Sequence, residues 1–332
     1  MKFGPVPLDR AEGAVLAHSV PTQDGRLRKG RVLSGADVTA LADTGIAEVI
    51  VARLGPDDLG EDLAAERLAS AVLGQGKGLK QTRPFTGRVN LLAEGPGVVE
   101  LDVAALEAVN AVHPMITIAT VPRWQQMRDG GMVATVKIIS YAVPEGDLAQ
   151  ACAAVASAGA ITLRQPVLKT ATLIVTEIPG GVGDKGRDAI AGRLEALGVT
   201  LELVQLVPHR RAALAEALAA ATSDLVLILT GSATSDSEDV APAALREAGG
   251  EVTRFGMPVD PGNLLFLGAL NDRPVIGLPG CARAPALNGA DWVLARVICG
   301  VPVSSADIAG MGVGGLLKEI PTRPQPRRGR RT

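Results

Sequence analysis

Aromatic residues are nearly missing from this chain of 332 residues: Phe, Trp and Tyr together make up 2%, while hydrophobic residues reach 47%. A core of Val, Ile, Leu and Ala suits helices packed on parallel strands and argues against an aromatic-lined binding module. Cysteine is scarce as well. Cys152, Cys281 and Cys299 are far apart, odd in number and free of any Cys-x-x-Cys pair, so neither a disulfide framework nor a zinc site is implied. His18, His113 and His209 stand in no ligand spacing and read as ordinary surface or half-buried residues. No apolar run reaches the roughly 18 residues that a bilayer crossing requires, and residues 1–8 lack an apolar signal core. A cytoplasmic protein without a membrane partner is expected.

Charge is uneven. Arg323, Arg327, Arg328, Arg330 and Arg331 fall within the last ten residues, and removing those five from the whole-chain charge of −2 leaves −7 on the remainder. An acidic body of that kind is poorly matched to nucleic acid. Residues 323–332 have nothing apolar to fold around and are expected to be a disordered basic tail.

What is present is organised around residues 224–239. The continuous apolar run 225–229 is too short for a helix and fits a strand buried on both faces of a parallel sheet. Thr230-Gly231-Ser232 breaks it, small hydroxyl and acidic residues come next, and Asp239 stands where it can cap a helix over 240–248. In an open parallel sheet, ligands bind outside the carboxyl ends of the strands, and such a loop offers N–H groups to an anion.

The same rhythm runs through the second half: strand 171–176, helix 187–197, strand 200–207, helix 211–221, then 224–229 and 240–248, which predicts a doubly wound, mostly parallel α/β sheet. Residues 254–270 and 273–278 add strands, and 284–299 form the closing helix. The first half reads as mixed α/β. A short helix starts after Ser34 or Asp37, an amphipathic helix runs from Pro56 to 73 with Leu59, Leu63, Leu68 and Val72 inward, and Asp102 caps a helix to about 111. Gly74, Gly76 and Gly78 mark a flexible connector, since the Gly-Lys-Ser/Thr ending of a phosphate loop is lacking. Gly95-Pro-Gly97 suggests a hairpin within 88–101, strands are expected at 115–121 and 132–139, an Ala-rich helix at 148–159 and a linker at 163–169.

Two further glycine-bearing loops lie between a strand and the next helix. Gly181-Val-Gly183-Asp-Lys-Gly186 is a literal Gly-x-Gly-x-x-Gly, but three residues separate it from its strand and no acid for a ribose ends the next one; it is a phosphate candidate through Lys185 and Arg187 rather than a dinucleotide fingerprint. Gly277-Leu-Pro-Gly280-Cys-Ala-Arg283 precedes the closing helix and can share a sheet edge with the 230–239 loop. Either loop alone is more often a tight turn.

Together these residues carry a resemblance. Thr230-Gly231-Ser232-Ala-Thr234-x-Asp236-x-x-Asp239 is similar to the Thr-Gly-Gly-x-Ser-x-Gly-x-x-Asp loop of the molybdopterin-binding family of MoaB/Mog-like domains that includes MoeA. Gly277-Leu-Pro-Gly280 resembles its Leu-Pro-Gly-Asn-Pro loop, and Pro261-Gly262 its Pro-Gly-Lys-Pro segment. Residues 8–51 also look like the start of MoeA-type proteins. Departures are Ser232 and Asp236 in place of glycines, Asp260 and Asn263 in place of lysines, Cys281-Ala-Arg283-Ala in place of Asn-Pro-Val-Ser, and a Thr-Gly-Asp-Glu motif reduced to Thr176-Glu177.

The resemblance implies a MoeA-like region over 1–165, a molybdopterin-binding domain over 166–303 and an extension over 304–332. It implies binding of molybdopterin, its adenylated form or its molybdenum form, with Mg as an accompanying ion, in molybdenum cofactor biosynthesis. Cofactor contacts would come from Thr230, Gly231, Ser232, Thr234, Asp236, Asp239, Pro279 and Gly280, with charge from Lys185, Arg187 and Arg283. A molybdotransferase would use Glu177 or Asp184 catalytically. The chain further resembles the molybdopterin-binding half of cytidylyltransferase fusion proteins, which implies a cytidylyltransferase or a molybdoenzyme as partner and a homo-oligomer, dimer or trimer. The rivals are a nucleotide-processing hydrolase of the competence-damage type and a nonenzymatic cofactor carrier or regulator.

Overall fold

The structure is a computed structural model that describes residues 1–155 and 159–317. The expected basic tail lies outside the described residues. Two compact units divide the chain: the first takes residues 1–95 and 99–163, and the second takes 96–98 and the chain from Arg164 onward.

In the first unit the chain opens with an antiparallel sheet in which Glu48–Arg53 lies between Lys2–Pro7 and Val15–Leu16. Leu16, Leu33, Leu41 and Val51 fill its core. Helix Gly35–Ala42 starts at a capping box in which Ser34 and Asp37 satisfy each other's backbone N–H, and Arg31 pairs with the same Asp37 carboxylate at 2.9 Å. Beyond it, helix Glu61–Leu73 packs on an antiparallel sheet in the order Ile116–Thr120, Met132–Ile138, Arg88–Ala93, Leu79–Gln81. The helix begins later than the sequence suggests, because Asp58–Gly60 pairs as a strand with Ala142–Pro144. Its buried face is therefore Ala64, Ala65, Leu68, Ala69 and Val72, and Leu63 is 44% exposed rather than inward.

Three other expectations change in this unit. Residues 88–101 form no hairpin: Arg88–Ala93 pairs with Met132–Ile138, while Gly97–Leu101 joins a different sheet with Gln126–Met127 and Ile161–Arg164. The 129–131 turn captures the end of Arg88–Ala93, since the Ala93 N–H donates to Gly131 O at 2.8 Å and Gly130 N–H returns to Ala93 O at 2.9 Å. The glycine loop at 74–78 is packed rather than loose, because a Cβ at Gly76 would fall 2.5 Å from Ile161 O. The Ala-rich helix is Glu145–Ala154, starting earlier than the periodicity suggests.

The second unit is the doubly wound part. Its elements are β1 (Thr170–Glu177), α1 (Arg187–Glu195), β2 (Thr200–Pro208), α2 (Arg211–Ala220), β3 (Leu225–Leu229), α3 (Val240–Glu247), β4 (Glu251–Phe255), β5 (Phe266–Leu270), β6 (Arg273–Leu278) and α4 (Gly289–Ile298). The sheet order is β2-β1-β3-β6-β5-β4. The first four strands run parallel, and β5 and β4 extend the sheet antiparallel. The 254–270 stretch thus divides: its first residues end β4 and its last form β5, with a turn between. Every residue of β3 is buried, as a strand covered on both faces must be. On one face Ile174, Val226, Ile228 and Val275 share a core with Leu214 and Leu218 of α2 and Leu245 of α3. The alternate residues Leu173, Val175, Leu227 and Ile276 are equally buried on the other. Each Leu or Ile so buried contributes about 1.5–3 kcal/mol before entropy is charged against it.

Candidate binding site at the carboxyl edge of the parallel sheet

Strands β2 and β3 lie on opposite sides of β1, so the chain reverses its winding between β1 and β3, and a crevice opens outside their carboxyl ends. Pairing sets what meets there. Val175 sits opposite Leu229 and Leu229 opposite Leu278, which brings the residues after β1, β3 and β6 to one edge. Because β5 is antiparallel, its beginning reaches the same edge, Phe266 opposite Gly277. Pro261-Gly262 just before it packs on the start of α4, with Gly289 N–H donating to Pro261 O at 2.8 Å.

Thr176 is the innermost polar group. It is 1% exposed, its hydroxyl accepts the Gly231 N–H at 3.0 Å, and His209 Nδ1 lies 2.7 Å from the same oxygen. Gly231 must be small here, since a Cβ would come within 2.6 Å of Thr176 O and 3.2 Å of Ile178 N. This close approach joins the first and third loops. The next amides along the chain, those of Ser232, Ala233 and Thr234, donate to no acceptor among the described residues. Three successive free N–H groups ahead of a helix are a ready anion or polar-ring contact. Thr234 is buried, with its hydroxyl 3.3 Å from that of Thr230, whereas Ser232 is exposed.

The loop's acids shape it from within. Asp239 Oδ2 accepts Ser235 N–H at 3.0 Å and Oδ1 accepts Val240 N–H at 2.7 Å, so the residue caps α3 and closes the loop at once. Asp236 Oδ1 accepts Glu238 N–H at 2.8 Å. Arg246 anchors the far end on Ser237 O at 2.7 Å.

Two arginines hold the other loops. Arg283 donates to Gly183 O at 3.1 Å, to Lys185 O at 2.5 Å and to Thr230 O at 2.9 Å, tying all three loops together. Gly186 allows this, because a Cβ there would lie 2.7 Å from Arg283 Cα. Partial burial draws the Arg283 pKa below its ordinary value. Arg193, which the sequence did not single out, spends all five N–H donors. Nε reaches Asp291, one terminal nitrogen reaches Ala189 O and Ala282 O, and the other reaches Ala284 O and Ala286 O. It fixes the whole turn between β6 and α4 to α1.

The structure thus brings Thr230, Gly231, Ser232, Thr234, Asp236, Asp239, Pro279, Gly280 and Arg283 to one edge. Pro279 is buried and Gly280 exposed. Lys185 and Arg187 are exposed on the first loop, the former two residues from the Arg283 contact at Gly183. Glu177 ends β1 and Asp184 lies in the loop after it; both are exposed. Sequence reading missed His209 and Arg193. A polar residue directly after a parallel strand was the one available signal for the first, and a lone Arg within a helix gave none for the second. Among the described residues no group of three or more His, Cys, Asp or Glu could hold a metal, and no helix is long and apolar enough to cross a membrane.

Comparison with curated proteins finds no match. Among solved structures, a molybdopterin biosynthesis MoeA protein from Pyrococcus horikoshii is 12% identical, with 90% of this chain and 75% of that chain covered and a TM-score of 0.32. A second structure of MoeA from that organism is 12% identical, covering 91% and 76% with a TM-score of 0.26. A molybdenum cofactor biosynthesis protein from Pyrococcus furiosus is 12% identical, covering 93% and 65% with a TM-score of 0.23. Residues 5–53 match a domain of unknown function (DUF8806). Over residues 166–297, the segment that carries β1 to α4 and all three loops, the chain matches the family of the probable molybdopterin binding domain.

Proposed function

We propose that residues 166–303 bind molybdopterin in the crevice outside β1, β3 and β6, and that the chain serves in molybdenum cofactor biosynthesis. The observation that carries this is the run of amides at Ser232, Ala233 and Thr234 that meet no acceptor among the described residues, placed at the point where the sheet reverses its winding. The donor set fits the ligand: backbone N–H groups and the hydroxyls of Thr230, Ser232 and Thr234 suit the polar edge of a pterin. Lys185 and Arg187 at the start of α1 suit a phosphate.

The site reads as one for binding more than for metal insertion. Asp239 has both carboxylate oxygens committed to backbone amides, and Arg283 gives three bonds to carbonyls. Glu177 and Asp184 on the first loop are exposed acids, as is Asp236 on the third, where Oδ1 is already engaged by the Glu238 N–H. The finer reading is a carrier that holds the cofactor, with or without molybdenum, and delivers it to a cytidylyltransferase or a molybdoenzyme.

The test is to purify the protein anaerobically from a host that makes the cofactor, release the bound ligand and identify it by mass spectrometry. A pterin bearing a phosphate is the expected outcome, with Gly231→Ala protein carrying little of it. Recovery of a nucleotide instead would replace this reading by the nucleotide-processing hydrolase, and an empty wild-type protein that also takes up no added molybdopterin would overturn it.

A further inference from the structure

We propose that His209 belongs to this site as a ligand-binding group, donating from Nε2–H to an anionic phosphate oxygen of the bound molecule. The identity of that molecule rests on the reading above. The state of the ring rests on hydrogen-bond counting alone.

A threonine hydroxyl has one proton to give and two lone pairs to receive. At Thr176 one lone pair takes the Gly231 N–H, and the second neighbour is His209 Nδ1. The oxygen meets no third partner among the described residues. If Nδ1 carried a proton it would donate to Thr176, and the hydroxyl proton of a side chain 1% exposed would point at nothing. A buried donor without an acceptor is strongly disfavoured. The satisfied arrangement has Thr176 donating to a bare Nδ1, which makes His209 the neutral Nε2–H form.

The ring is held at both ends of its residue. Its backbone N–H donates to Glu177 O at 2.9 Å, which seats it over the end of β1, and Nδ1 is anchored inward on Thr176. His209 is half-buried, and Nε2 has no partner among the described residues. One half-buried imidazole therefore stands at the junction of the first and third loops with its Nε2–H uncommitted among the described residues. Lys185 on the loop that leaves β1 and Arg187 at the start of α1 are exposed and add positive charge that favours an anionic ligand.

The experiment uses full-length protein with 15N-labelled histidine. Long-range 1H–15N spectra report the tautomer of each of the three rings, and the Asn variant assigns His209 by the loss of its signals. The expected result is an Nε2–H ring at His209 whose signals shift as molybdopterin is titrated in anaerobically, with His18 and His113 unmoved. His209→Asn keeps an acceptor where Nδ1 was but has no donor at the place of Nε2. It should fold with an unchanged melting curve and bind molybdopterin on the order of tenfold or more weakly. His209→Gln places a donor there and should recover part of the loss. Inorganic phosphate alone should shift the same signals at higher concentration.

An Nδ1–H ring, or wild-type binding that leaves His209 unmoved and is equally tight in the Asn variant, would sink this inference while leaving the proposed ligand intact. Failure of the wild-type protein to bind molybdopterin would overturn both.

Discussion

Arg193 and Asp291 form an ion pair at 2.5 Å, with side chains only 11% and 14% exposed, and the same Asp291 closes a capping box at the start of α4. One carboxylate thus orients a guanidinium on α1 and starts a helix across the turn from β6. Because all five guanidinium donors are spent, lysine cannot substitute: its single ammonium is a point charge without the fork. Arg193→Lys should lower stability by about 2–4 kcal/mol, and Arg193→Ala by at least as much. Urea denaturation monitored by circular dichroism checks this. A loss within about 0.5 kcal/mol for the lysine variant would mean that the turn holds itself.

Gly231 and Gly280 belong to neighbouring loops but differ in surroundings. A Cβ at Gly231 meets Thr176 O at 2.6 Å, whereas at Gly280 nothing lies within 4 Å. Gly231→Ala should cost about 1–3 kcal/mol by forcing the loop off β1, and Gly280→Ala should stay within about 0.5 kcal/mol of the parent. Thermal melts of the pair provide the comparison, each serving as the control for the other.

Asp224 sits at the opposite end of β3, where its Oδ2 accepts the backbone N–H of Lys169 at 2.7 Å and of Thr170 at 3.1 Å. Those two amides hold its carboxyl below the ordinary value of 3.8. A depressed folded-state pKa adds stability above the unfolded value and loses it as pH falls through the folded one. Wild type should therefore exceed Asp224→Asn by a constant margin from about pH 5 to 7, and the margin should shrink below pH 3.8. A margin that stays flat into acid would show that the carboxylate charge contributes nothing.

Burial sets Cys299 apart from Cys152 and Cys281, which are both half-buried. It pushes Cys299 up to about 11 and raises Cys152 as well, so little thiolate is present at neutral pH in either. Cys281 is half-buried, at the start of the turn after β6. Brief alkylation with iodoacetamide at pH 7, read by peptide mass spectrometry, should label Cys281 first and Cys299 last, with Cys299 catching up as pH approaches 11. Cys281 proving the slowest would mark it as a packing residue sealed from the crevice.

How much of this was legible in the chain depends on how far apart the cooperating atoms lie. The apolar run Leu225–Leu229 is bounded by polar residues, and a strand buried on both faces is the one place five such residues in a row can satisfy their surface. Ser34 with Asp37 and Asp102 with Ala105 are caps made within one helical turn, so residue type and spacing were enough to find them. The βα rhythm from Thr170 to Glu247 was readable for the same reason: periodicity is written over ten residues at a time. Contacts chosen by the fold were not readable. Thr176 meets His209 across 33 residues, Arg283 meets Gly183 across 100, and Arg193 reaches carbonyls 89 to 93 residues away. The expected hairpin at Gly95-Pro-Gly97 failed likewise, because Arg88–Ala93 found in Met132–Ile138 a partner that local turn chemistry cannot weigh. Local dihedral preference and hydrophobic period fix which elements form. Which loops meet, and which polar atoms are left free to hold a ligand, is settled by strand pairing in the sheet.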